Sequence, residues 1–145
     1  MKTNIFRFIA AVIFICFLPL TALSATSDIE EIYNFFFIPH TNPGSDKLYA
    51  TAQISFVDKD FNVAIPDQNH ELAYECSVFM NEGGSKGSLL VQDSGVFTHG
   101  HDGEEQFEIE LGSITEKTSV RVELTVTLPG GKVLTQEKDF ELQAH

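Results

Sequence analysis

The chain has 145 residues, 21 acidic and 9 basic, for a formal charge of −12. That length suits one domain, and that charge argues against nucleic acid or anionic lipid as a partner, since both are repelled by an acidic surface. Two cysteines and no tryptophan exclude a disulfide-dense scaffold and the tryptophan-centred core of antibody domains.

Lys2 and Arg7 stand ahead of Phe8–Leu18, an unbroken run of eleven apolar residues, and small residues around Ser24-Ala25 end it. A basic start, an apolar middle and a small-residue cleavage zone predict a secretory signal peptide over residues 1–25. A helix needs roughly 20 apolar residues to cross a hydrocarbon core about 30 Å thick, so this run is too short for a membrane anchor. Cys16 follows Phe14-Ile15 rather than the small residues of a lipid-attachment signal. The signal is short and strongly apolar, in the bacterial manner, so the expected destination is the periplasm or the medium. Residues 26–145 then form the mature domain, with seven bases and 21 acids, a formal charge of 7 − 21 = −14. Cys76 is its one cysteine, so no internal disulfide is expected and a hydrophobic core must hold the fold.

Ser27-Asp28-Ile29-Glu30 fits a helix capping box, and Ile29, Ile32, Tyr33 and Phe36 have helical spacing. Ile32–Ile38 is nevertheless aromatic and β-prone, so a strand is expected there, with room for one helical turn before it. Phe35, Phe36, Phe37 and Ile38 exceed what one half-buried strand face requires. Either the strand is buried on both sides, or it is an edge that adds to a partner, with Phe35, Phe36 and Phe37 as contact residues. Its place just after the signal resembles the donor strand of fimbrial subunits. The disulfide and C-terminal β-motif of those subunits are absent, which favours burial within the domain.

Period-2 alternation then dominates. Leu48, Ala50, Ala52, Ile54 and Phe56 share one face of a strand, and Thr51, Gln53 and Ser55 the other. Asp58-Lys59-Asp60-Phe61-Asn62 begins like a calcium loop, but Val63 stands where glycine is needed and Asn69 where a bidentate glutamate is needed, so a tight turn is expected. Leu72, Tyr74, Cys76, Val78 and Met80 form the next inward face, which makes Cys76 a buried, inert thiol. Asn81–Ser88 reads as a flexible loop. Phe107, Ile109 and Leu111, then Val120, Val122, Leu124, Val126 and Leu128, give two more inward faces. Leu128-Pro129-Gly130-Gly131-Lys132 is a tight turn into a last strand, Val133–Leu142, with Leu134, Phe140 and Leu142 on one side.

Seven to nine short strands with no clear helix predict an all-β domain. The expected fold is an antiparallel two-layer β-sandwich of immunoglobulin/fibronectin-like architecture. Roughly sixteen large apolar side chains point inward, each contributing about 1.5–3 kcal/mol on burial, enough to fold without a disulfide.

The stretch most suggestive of chemistry is Thr98–Glu105. His99 and His101 fall on one side of an extended backbone, Asp102, Glu104 and Glu105 are nearby carboxylates, and His99, His101, Asp102 and Glu104 are the candidate ligands for zinc or copper. No catalytic constellation is legible: Ser88 and Ser94 lack a nucleophile elbow, and His40, His70 and His145 have no readable partner. The expectation is an exported, non-enzymatic protein that binds a protein or cell-surface partner through loops such as Asn81–Ser88 and His99–Glu105. The alternatives are a periplasmic metal-binding protein and, more remotely, a small secreted hydrolase.

Overall fold

The computed structural model describes residues 28–67, 69–100 and 103–143, so the expected signal segment lies outside the described residues, as do His101, Asp102 and His145. Nine strands follow in order: β1 (Glu31–Thr41), β2 (Leu48–Val57), β3 (Val63–Ala64), β4 (Ala73–Glu82), β5 (Ser85–Val96), β6 (Thr98–His99), β7 (Glu105–Gly112), β8 (Thr118–Thr127) and β9 (Val133–Leu142). The first sheet runs β1-β2-β7-β6, with β3 also paired to β2, and the second runs β5-β4-β8-β9. Every pairing is antiparallel. The chain passes from one sheet to the other after β3, β5 and β7, which makes the expected two-layer sandwich.

The alternating faces meet in the middle as the sequence pattern requires. Ile54, Phe56, Leu72, Val78, Val122 and Leu124 are buried almost completely, and Leu142 with them. Tyr74, Phe97 and Phe107 form one aromatic group, with the Tyr74 and Phe107 rings stacked 3.8 Å apart. Phe140 of β9 meets Phe35 and Phe37 of β1 at ring-centroid distances of 5.3 and 5.5 Å, and Lys138 Nζ donates to the Phe35 carbonyl at 3.1 Å. These contacts join the two sheets along the β1–β9 side.

Two local expectations are corrected. Among the described residues no helical turn precedes β1: residues 28–30 are irregular, and the Glu30 amide donates to the Val57 carbonyl at 2.8 Å, extending the β1–β2 ladder. The helix-like spacing comes instead from a β-bulge. The β1–β2 register slips at Tyr33, so Ile32 and Phe35 both face the core although they are three residues apart. Nor is Asn81–Ser88 an open loop. Gly83 and Gly84, with φ of 63° and 87°, close a two-residue hairpin, and the Gly84 amide donates to Asn81 Oδ1. The chain continues directly into β5, which at 12 residues is the longest strand. Adjacent leucines, two glycines and a register slip at Leu90 erase its alternation.

The β1, β5 and β9 edges are blunted against pairing with other chains. β1 carries the Tyr33 bulge and Pro39. β5 is bulged, and Asp93, opposite the buried Cys76, points inward to accept the Tyr74 hydroxyl at 2.9 Å. β9 carries Glu137, Lys138, Asp139 and Glu141. No helix among the described residues is long and apolar enough to cross a membrane.

Candidate functional surface

Glu105 opens β7 and belongs to the same inward-facing set as Phe107, Ile109 and Leu111. Its register neighbours are Ile54 of β2 and His99 of β6. The carboxylate is therefore buried, with only 1% of the residue exposed. His99 Nδ1 donates to Oε1 at 2.7 Å, while Oε2 has no hydrogen-bond partner among the described residues. Burial pushes the Glu105 carboxyl above the usual glutamate value, and the bond to His99 draws it partly back. The parity of Glu105 with Phe107 was readable in the sequence, two residues beyond the end of the apolar alternation.

The predicted ligand set is thus divided. His99 spends Nδ1 on Glu105, a residue outside that set. Glu104 offers its main-chain carbonyl to the Gly100 amide at 2.7 Å. His101 and Asp102 lie outside the described residues. Among the described residues no group of three or more histidine, cysteine, aspartate or glutamate side chains is arranged to hold a metal ion. Gly103 has φ +81°, and a Cβ there would lie 2.8 Å from Ile65 Cγ1, so this loop packs tightly against the β3–β4 connection.

The three phenylalanines of β1 separate by parity. Phe35 and Phe37 are buried in the core at 3% and 5% exposure, whereas Phe36 is 48% exposed on the outer face. Ile38 continues that outer face at 46%, and Tyr33, the extra residue of the bulge, is 60% exposed. Beyond Ile38 come His40 and Tyr49, whose rings stack, with His40 Nε2 2.9 Å from Glu108 Oε2. Gln53 and Thr51 stand opposite Phe36 and Ile38 on β2. The outer face of the first sheet is therefore apolar along β1 and polar to acidic toward β7.

The Asp58–Asn62 segment is the expected tight turn. Asp58 Oδ1 accepts the amides of Asp60 and Asn62 at 2.8 and 2.9 Å, and the Asn62 side-chain amide reaches both carboxylate oxygens. Those bonds, the Asn62 backbone amide foremost, hold the Asp58 carboxyl below its usual value. Both of its oxygens are engaged within the turn. Phe61 and Val63 stand outside at 74% and 65% exposure, followed by Ile65 at 50%.

A cleft of about 400 Å³ lies between the start of β1, the β3–β4 connection and the β8–β9 turn, lined by Ile29, Pro66 and Leu128 among others. Part of its charged rim is bonded internally: Lys132 Nζ donates to the Ile29 carbonyl and to Glu30, and Asp67 accepts from Asn69 and His70. No protein-family model, curated protein or solved structure matches this chain.

Proposed function

We propose that this chain is an exported, non-enzymatic binding module that engages a protein partner through the outer face of its first sheet. Export rests on the residue pattern of the first 25 positions. The observation that carries the binding reading is the pair Phe36 and Ile38, with Tyr33 beside it, exposed on the outer face of β1. Apolar groups of this size gain nothing from the core when they face water, and grouped on a surface they mark contact sites. The blunted edges favour contact through the face over strand addition. Of the three phenylalanines read as contacts from sequence, Phe36 is the one on that face.

The test compares immobilised wild-type protein with a Phe36→Ser/Ile38→Ser variant of the same circular dichroism, each exposed to envelope proteins of the producing cell. A stoichiometric partner retained by the wild type and lost by the variant is expected. Retention of the same partner by both would remove the sheet face as the site. Retention by neither, in the envelope or the medium, would remove the binding reading.

A further inference from the structure

The β2–β3 and β8–β9 turns are built on the same hydrogen-bond frame. In the first, the Asp58 amide donates to the Asn62 carbonyl and the Phe61 amide to the Asp58 carbonyl, at 2.9 and 3.0 Å. In the second, the Leu128 amide donates to the Lys132 carbonyl and the Gly131 amide to the Leu128 carbonyl, at 2.8 and 3.0 Å. The fourth residue of this frame takes a left-handed conformation that suits glycine, because it has no Cβ to crowd the carbonyl. Gly131 meets that need, with φ 91°. The equivalent residue of the first turn is Phe61, with φ 60°, the one non-glycine residue at positive φ among those described. The Asp58 carboxylate fixes Asp60 and Asn62 on either side of it, so the turn enforces the conformation.

Stability does not explain a phenylalanine here. Its backbone is strained, and among the described residues it is the most exposed of the large apolar ones, at 74%. A strained residue that presents a bare ring to water is accounted for by what the ring touches in a complex. The ring also has company. Val63 and Ile65 are exposed at alternate positions with buried Ala64 between them, and Val63 stands opposite Val57 on β2. Val57 is 2% exposed but belongs to the side of β2 opposite Phe56, outside the main core cluster. An apolar strip thus lies on the same outer face, across β2 from the start of β1.

We infer that Phe61, Val63 and Ile65 form the anchoring strip for an apolar polypeptide segment that also carries lysine or arginine. The inference rests on the binding function proposed above and names its anchor and its partner's chemistry. Charge selects the occupant. Asp58, Asp60 and Asp67 flank the strip against Lys59, Lys132 of the adjoining cleft is taken up by Glu30, and Glu31 stands opposite Val57. That rim repels anionic lipid and a second copy of this acidic chain, and it attracts a basic segment. An exposed aromatic ring ringed by charge is the kind of group that dominates such contacts.

The experiment selects a phage-displayed random peptide library against the full chain, then measures the winning peptides on wild type, Phe61→Gly and Phe36→Ser. Phe61→Gly relieves the left-handed strain, so it folds at least as well as the wild type, and lost binding cannot be ascribed to unfolding. Enrichment of peptides pairing apolar with basic residues, weakened about tenfold or more by Phe61→Gly and weakened again by added salt, is expected. Peptides that bind Phe61→Gly as well as wild type, or that lack basic residues, would overturn it. Two further results would do so as well: a dimer in sedimentation that Phe61→Gly dissolves, or Phe61-dependent uptake on phosphatidylcholine vesicles containing phosphatidylglycerol. Loss of binding in Phe36→Ser with none in Phe61→Gly would leave the sheet-face reading standing and remove this one.

Discussion

His99 and Glu105 meet at 2.7 Å across the β6–β7 pair, and the far oxygen of that carboxylate is buried with no partner among the described residues. A buried acid favours its neutral form, so its charge opposes folding. Because the folded-state pKa is raised above the ordinary 4.5, Glu105 supports folding below that value, and the support is lost as pH rises through the raised one.

The expected consequence is a pH-dependent gap between wild type and Glu105→Gln. Near pH 4 both carry a neutral side chain and melt alike. Toward pH 7 the variant gains on the wild type, because unfolding lets Glu105 ionise freely and glutamine has no such linkage. His99→Ala moves the other way: it removes the one donor to the carboxylate, lowering stability at neutral pH more than in acid. Thermal melts of the three proteins across this range test both statements. A gap that closes toward neutral pH would contradict the assignment.

The acid limb has the opposite sign. Hydrogen bonds hold the Asp58 and Asp67 carboxyls below their ordinary 3.8, so the stability they lend is present above that value and lost as pH falls through the depressed ones. Asp58→Ala should flatten the fall in melting temperature below about pH 4 and lower the melting temperature at neutral pH. With both Asp58 oxygens engaged in the turn, replacing a chelator with calcium should leave the melting temperature unchanged. A clear upward shift with calcium would show that the turn opens to bind it.

Strand faces were the legible part of this sequence, because burial against one layer imposes strict alternation. Leu48–Phe56 and Val120–Leu128 show it without a break, and both are core. What escaped reading are the places where alternation is broken. The Tyr33 bulge makes Ile32 and Phe35 look helical, and Leu89-Leu90 hides β5 behind a register slip. Glu105 was legible as a carboxylate near His99, but its burial was not, since a carboxylate on the inward face contradicts the polarity rule that defines that face. Phe61 was readable as part of a turn, but its left-handed backbone depends on where the Asp58 carboxylate places the neighbouring amides, which no spacing rule conveys.

Cys76 is fully buried, and burial pushes its thiol up to about 12, with nearby Asp93 adding to the shift. The thiolate needed for reaction is therefore scarce at neutral pH. A thiol-specific reagent should label the native protein no faster than the protein opens globally, and should label it at once in denaturant. Cys76→Ser should cost about 1–3 kcal/mol, because the new hydroxyl loses its water and the carboxylate nearest it, Asp93, already accepts from Tyr74. Rapid native-state labelling would mean that β4 opens locally.

Phe61 supplies the most direct test of strain. A left-handed non-glycine residue costs about 1–2 kcal/mol, while glycine costs roughly 0.5–1 kcal/mol of extra chain entropy. Phe61→Gly should therefore leave stability unchanged or raise it by up to about 1 kcal/mol. Phe61→Asn should raise it at least as far, since asparagine tolerates this conformation without glycine's entropy. Phe61→Ala keeps the strain and should gain nothing. At the matching position of the other turn the sign reverses: Gly131→Ala forces a Cβ into φ 91° and should cost about 1–2 kcal/mol. Urea unfolding of the four variants ranks them. If Phe61→Gly were instead destabilised as much as Gly131→Ala, the ring would be supporting the fold, and the case for it as a contact anchor would fall with that result.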